Sequence, residues 1–187
     1  MSLLVTDGVN PINTQPGAFK QIVRSMWLPF GTPQSGLSAI FAANQCRFFG
    51  VENQFFRELT LAGLQVGGAG AGGALITIGL YDLNGNRLTS NNANPFDGTN
   101  VATAQSKALD TPIILSPGFY LLAWTSNDAA ITMQNMSVAS TTYVNTSTKQ
   151  IRMGTFANAS AGGLLPATSG VLTAVGLGNI CACGFEA

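Results

Sequence analysis

The chain of 187 residues is poor in charge and contains no histidine. Asp, Glu, Lys and Arg together make up 9% of the sequence, whereas a soluble domain usually has roughly 25%. Eight basic and eight acidic residues cancel, and the basic residues are scattered singly. Because phosphate contacts need clustered Lys and Arg, we expect no nucleic-acid partner. The missing histidine excludes catalysis by a Ser–His or Cys–His pair.

Membrane spans, secretion signals and disulfides also lack support in the sequence. No apolar run approaches the ~20 residues of a membrane helix, so we expect no membrane partner. The first residues, MSLLVTDGVNPINTQPG, lack the basic start and the apolar core of a signal peptide. We therefore expect folding in a cytoplasm. There, the three cysteines Cys46, Cys181 and Cys183 fit reduced thiols better than a disulfide framework.

Motifs for cofactors, metals and catalysis are weak. Gly68, Gly70 and Gly73 satisfy G-x-G-x-x-G, but a β-branched strand follows where a dinucleotide site needs a helix, so we predict a loop. Structural zinc needs four ligands, and the three cysteines have no fourth cysteine or histidine to join them. The isolated acids leave a carbohydrate-cleaving spike as a third, lesser hypothesis. We expect no cofactor, no metal and no enzymatic activity.

Apolar runs separated by turn residues dominate the chain from Cys46 onward. Two runs, ALITIGLYDL and FYLLAWTS, are apolar on both faces, which indicates strands covered on both sides. Asn84-Gly85 and Ser116-Pro117-Gly118 are strong turn signals beside them. The pattern predicts an all-β fold, an antiparallel β-sandwich of jelly-roll-like kind. Residues 1–20 are predicted to be an extended N-terminal arm, and 21–187 a single β-sandwich domain.

Aromatic residues are the candidates for a functional surface. Those on strands are most often part of a core, whereas exposed ones can form a subunit interface or a sugar-stacking face. Alternation along FYLLAWTS sends Tyr120 and Trp124 one way and Phe119 and Leu121 the other. We expect one set to fill the sandwich, and the other to be covered by the second sheet's flank, the arm or another subunit. The candidates for an interface or a sugar-stacking face are Trp27, Phe96, Tyr120 and Trp124.

Two motifs within residues 57–125 carry a resemblance. The first is GLYD at 79–82 before an Asn-Gly turn, and the second is PGFYLLAW at 117–124. With the alternating strand RELTLAGLQV ahead of them, they resemble a β-sandwich module of bacteriophage virion proteins. That module occurs in capsid decoration (cement) proteins, head fibres and tail-fibre domains.

The resemblance implies a structural protein of the virion, assembled in the host cytoplasm. Our first hypothesis is a capsid decoration or cement protein, a homotrimer that bridges capsomers and binds the major capsid protein or another virion protein. The short chain, the polar arm and the lack of shaft repeats favour this hypothesis. The alternative is a tail, spike or fibre module that binds host surface carbohydrate through exposed aromatic residues and the Asn-rich loop 89–100.

Overall fold

The structure, a computed structural model, describes residues 33–39, 42–53, 56–101, 104–137, 153–175, 179–181 and 183–186. The predicted arm, residues 1–20, and Trp27 lie outside these ranges. The described residues contain β-strands and no helix. The strands are Pro33–Ala39 (β1), Arg47–Asn53 (β2), Arg57–Gly68 (β3), Leu75–Tyr81 (β4), Arg87–Ser90 (β5), Phe96–Asp97 (β6), Ala104–Leu115 (β7), Gly118–Ser126 (β8), Thr132–Ser137 (β9), Met153–Phe156 (β10), Leu172–Ala174 (β11), Asn179–Cys181 (β12) and Cys183–Glu186 (β13).

The strands form two antiparallel sheets that pack face to face. The first sheet has six strands in the order β1-β9-β3-β13, with β12 on β9 and β7 on β3. The second sheet has seven strands in the order β11-β10-β2-β8-β4-β5, with β6 also on β4. The predicted all-β antiparallel sandwich is therefore confirmed.

The two doubly apolar runs are the central strands of the second sheet. Strand β8 pairs with β2 on one side and with β4 on the other, so that Trp124 lies opposite Ile78 and Leu122 opposite both Leu80 and Phe49. Residues 76–81 of β4 and 121–126 of β8 are all buried. Coverage of both faces explains why the sequence alternation is lost in these strands.

Two apolar clusters hold the domain, one on each face of the second sheet. The inner cluster lies between the sheets and includes Phe49, Leu59, Val66, Ile78, Phe96, Trp124, Met133 and Phe185. The outer cluster lies on the opposite face of the second sheet and consists of Cys46, Phe48, Tyr81, Leu121, Ala123, Phe156 and Leu165. Of these residues, Leu165 comes from the connection between β10 and β11.

The predicted Asn-Gly hairpin is confirmed. Strands β4 and β5 pair antiparallel across it, and the Gly85 N–H donates to the Asp82 carbonyl. Gly85 has a φ of 83°, and a Cβ there would meet the Ser169 hydroxyl at 2.1 Å. Both the left-handed backbone and the close neighbour therefore favour glycine at this position.

Candidate functional surfaces

The aromatic candidates are dispersed, and most of those described belong to the core. Phe96 in β6 and Trp124 in β8 are both 0% exposed, and both lie in the inner cluster. The Trp124 ring packs at a tilt on Phe49, with the ring centroids 6.0 Å apart. Rings that are fully buried inside one chain offer no face to a sugar or to another subunit. The assignment of Phe96 and Trp124 to such a surface is therefore corrected: both are core residues.

Tyr120 is the described candidate that reaches the surface. Its ring is half-buried against the inner cluster, and its hydroxyl donates to the Ser116 carbonyl at 2.9 Å. Tyr120 therefore closes the turn that joins β7 to β8. Its ring packs on apolar residues, and its hydroxyl lies at the surface. Trp27 lies outside the described residues, so no shared aromatic face is formed by the described members of this set.

The outer face of the second sheet is covered by residues 157–171, which we call the strap. The strap leaves β10, crosses the sheet to the β4–β5 hairpin and returns to β11. At the hairpin, the Ser169 N–H donates to the Gly85 carbonyl at 2.8 Å, and the Arg87 N–H donates to the Ala167 carbonyl at 2.9 Å. The Arg87 guanidinium also donates to the Leu165 carbonyl.

Polar side chains of the sheet fasten the strap along its length. The Tyr81 hydroxyl donates to the Pro166 carbonyl at 2.6 Å, and the Thr77 hydroxyl donates to the Gly163 carbonyl at 2.8 Å. Asn92 accepts from the Leu165 N–H at 3.0 Å and donates to the Leu165 carbonyl at 2.9 Å. A loop buried in this way needs such partners for its backbone groups.

What covers this face of β8 differs from what the sequence led us to expect. Leu121 and Ala123 are packed beneath this connection of the same domain, a cover that was not among those expected from the sequence. Burial under the strap raises the pKa of the Cys46 thiol to about 11, and burial also raises the pKa of Tyr81. Both groups are therefore neutral at ordinary pH and belong to the packed interior.

Three of the described aspartates, two in loops and one at the end of β6, cap turns. The Asp82 carboxylate accepts from the Asn86 N–H at 2.8 Å within the β4–β5 hairpin. Hydrogen bonds from the hydroxyl and the backbone of Thr99 lower the pKa of Asp97. Backbone N–H groups of residues 130 and 71 do the same for Asp128. Capping turns is the ordinary use of such carboxylates.

The Asn-rich loop 89–100 is built largely on internal hydrogen bonds. Asn91 is fully buried, and its side chain accepts from the Ile78 N–H at 2.8 Å and donates to the Asn94 carbonyl at 3.0 Å. Asn92 holds the strap through Leu165, as described above. The side-chain amides of Asn91 and Asn92 make these hydrogen bonds inside the domain, so they are not presented to a ligand.

The predicted glycine loop and the cysteines have structural roles where the structure describes them. The loop that follows β3 leads directly into strand β4, as predicted, and Gly73 there has a φ of 83°. Cys46 lies in the outer cluster and Cys183 in the inner cluster, both as free thiols. Of Cys181, the structure describes the backbone, in β12. Within the described ranges, no three Cys, Asp or Glu side chains are grouped to hold a metal ion.

Large apolar side chains are exposed at separate places on the domain. At one end of the sandwich, Ile114 is 76% exposed beside the β7–β8 turn, with Phe56 and Phe119 nearby in the strand register. At the β11 edge of the second sheet, Val171 is 74% exposed. The other large apolar side chains that are exposed among the described residues are Leu83, Leu88, Val101, Leu164 and Val175.

The edge surface around β11 was missed by the reasoning from sequence, although a signal was present. Residues 153–185 contain no Asp, Glu, Lys or Arg. This stretch supplies the strap and β11, so neither of them carries a charged side chain. Edge strands of soluble proteins usually carry charge, proline or a bulge that discourages pairing.

Comparison with known proteins gives no relative. No family model matches the chain, and neither a curated protein nor a solved structure matches it. A search of the described residues for a helix long and apolar enough to cross a membrane finds none.

Proposed function

We propose that the protein is a structural protein of a bacteriophage particle, namely a capsid decoration or cement protein that stabilises the head by bridging capsomers. The observation that carries this proposal is the character of its surface. Charged residues are 9% of the sequence, and apolar side chains such as Ile114 and Val171 stand three-quarters exposed at separate sites. The resemblance of residues 57–125 to modules of virion proteins is the reason for proposing a place in the phage particle.

Such a surface suits a protein that works among neighbours. A solitary small domain is normally kept soluble by abundant charge and by the absence of apolar patches. Contacts of about 800 Å² per partner suffice for a stable interface. Many copies that bind one shell add avidity, so that each single contact can be weak. The mechanism is therefore passive adhesion across capsomer seams.

The proposal includes a homotrimer and a contact of the N-terminal arm, residues 1–20, with the shell. The arm is polar and rich in turn residues, with Pro11, Pro16, Gly8 and Gly17. Segments of this composition gain order by lying on a partner. Removal of residues 1–20 should therefore weaken binding to the shell and leave the sandwich folded.

The carbohydrate-binding alternative receives less support from the geometry. Two of its aromatic residues, Phe96 and Trp124, are buried, and Asn91 and Asn92 of its loop are hydrogen-bonded inside the domain. A sugar site needs exposed aromatic faces and free amides. The observations therefore favour adhesion between protein subunits over sugar recognition.

Quantitative mass spectrometry of purified virions tests the proposal. We expect a copy number comparable to that of the major shell protein. A handful of copies per particle would point instead to the tail or a vertex. Absence of the protein from particles would overturn the virion proposal altogether.

A further inference from the structure

We propose that the edge strand β11 pairs with β11 of a second copy of this chain, antiparallel about a two-fold axis at Thr173. Among the described strands, β11 is paired only with β10, with Thr173 opposite Thr155 and Leu172 opposite Phe156. No described residue pairs with the other side of β11, so within the described part of the chain that side is an open sheet edge. The inference concerns a contact between copies and does not depend on a location in a virion.

The open edge presents a defined set of backbone groups. The Ala157 N–H donates to the Val171 carbonyl at 2.9 Å, so the polar groups of residue 171 point toward β10. Because these groups alternate sides along a strand, those of Thr173 also point toward β10. The N–H and C=O groups of Leu172 and Ala174 therefore point away from the sheet, where a second strand can bond them.

The sequence of the edge is complementary to itself. In an antiparallel pair centred on Thr173, Leu172 lies opposite Ala174 of the second copy, and the free backbone groups of the two strands meet. The side chains of residues 171, 173 and 175 share the other face of this pair. There, Val171 of one copy lies opposite Val175 of the second, and the two Thr173 residues lie opposite each other. Thr–Thr pairs are among the favourable cross-strand pairs, and two valines that face each other remove apolar surface from water. Val171, 74% exposed in one chain, would become covered.

Charge does not oppose this contact. A two-fold axis brings each group near its own copy, so any charge near the axis would meet a like charge. Residues 153–185 carry no charged side chain. Strand β11 and the exposed strap residues can therefore be desolvated without burying a charge of their own. The strap residues add contact area that a single short strand would not provide.

Strand β10, the neighbour of β11, is buried and holds β11 in a fixed register. Strand β10 is buried between β2 and β11, and Gly154 in it has no room for a side chain, because a Cβ there would come within 1.9 Å of the Thr173 carbonyl oxygen. The register of β11 on β10 is therefore fixed by close backbone contact. A fixed register presents the same edge in every copy, as a symmetric contact requires.

The mass of the full-length protein in solution tests the pairing. We expect light scattering after gel filtration, at about 1–100 µM, to give an even multiple of the chain mass. The variant Thr173→Lys places two like charges at the axis and keeps every backbone bond to β10, so it should halve that mass. Ser106→Lys, which adds the same charge to an exposed position of β7 in the other sheet, should leave the mass unchanged.

A cysteine at the axis provides a second, independent measurement. Residues at such a non-hydrogen-bonded position have Cα atoms about 4.5 Å apart, which is within the span of a disulfide. Thr173→Cys should therefore form a reducible dimer on mild oxidation, whereas Ser106→Cys and the native protein with its three cysteines should not.

The results separate this inference from the proposed function. A wild-type mass equal to one chain or to an odd multiple would overturn the two-fold pair, as would an unchanged mass for Thr173→Lys. A homotrimer, as proposed above, uses other surfaces, so the β11 contact would join two trimers. The copy number in virions tests the location and is unaffected by either outcome.

Discussion

Replacement of Leu165 by alanine tests whether the strap is an integral part of the core. Leu165 is 2% exposed in the outer cluster, and its Cδ1 lies where a Cβ on Gly79 would come within 2.7 Å. The substitution removes three buried carbon atoms at about 0.8 kcal/mol each, or about 2.4 kcal/mol. A cavity adds to this loss, although the strap can settle into part of the space. We expect the free energy of unfolding to fall by about 2–4 kcal/mol.

The neighbouring leucine is a matched control. Leu164 is 37% exposed, so Leu164→Ala should cost less than about 1 kcal/mol. Urea unfolding measures both variants: with a slope near 2 kcal/mol per molar, the midpoint of Leu165→Ala should fall by about 1 M or more. Equal losses for the two variants, or a loss under about 1 kcal/mol at Leu165, would refute a strap packed into the core.

Thiol labelling reports where Leu165→Ala acts. Cys46 lies beneath the strap and Cys183 between the sheets, both buried. If the strap opens locally, a thiol reagent should label Cys46 faster in Leu165→Ala than in the native protein, with labelling of Cys183 unchanged. Equal acceleration at both cysteines would mean that the whole domain had loosened.

Three further predictions follow from local geometry and from the pKa shifts. Gly154→Ala should detach β11, because its Cβ would meet the Thr173 carbonyl oxygen at 1.9 Å, and amide hydrogen exchange of Thr173 should rise. Folding lowers the pKa of Asp97 and Asp128, so their stabilising effect is present above about pH 4 and is lost as the pH falls; the Asn variants should flatten the acid limb of stability against pH. Folding raises the pKa of Cys46 to about 11, so stability should decline between about pH 9 and that value, and Cys46→Ala should reduce the decline.

The fold was predictable where the local pattern and the final environment agree. The runs at β4 and β8 are apolar on both faces, and both faces are covered. The Asn84-Gly85 turn sits where positive φ is needed, at Gly85. In these places, chemistry within a few residues decides the structure, so one sequence is enough to predict it.

The site could not be predicted in the same way, because burial of an aromatic ring depends on distant residues. Phe96 lies in a polar segment, TSNNANPFDGTN, yet it pairs beside β4 and is fully buried. The strap resembles an ordinary polar and glycine-rich loop in sequence. Its contacts with Tyr81 and Asn92 span more than seventy residues, and no local pattern reveals them.

The strap also decides which surfaces remain for partners. Because it covers the outer face of the second sheet, a partner cannot pack there without displacing Leu165 and its hydrogen bonds to Asn92. The two most exposed large apolar side chains among the described residues lie instead at the end of the sandwich, Ile114, and at the β11 edge, Val171. Contacts at an end and an edge, if formed as proposed, would place neighbours beside and beyond the domain, so that successive copies extend across a surface. That arrangement suits a protein that links subunits of a shell, whereas a covered face suits rigidity within each copy.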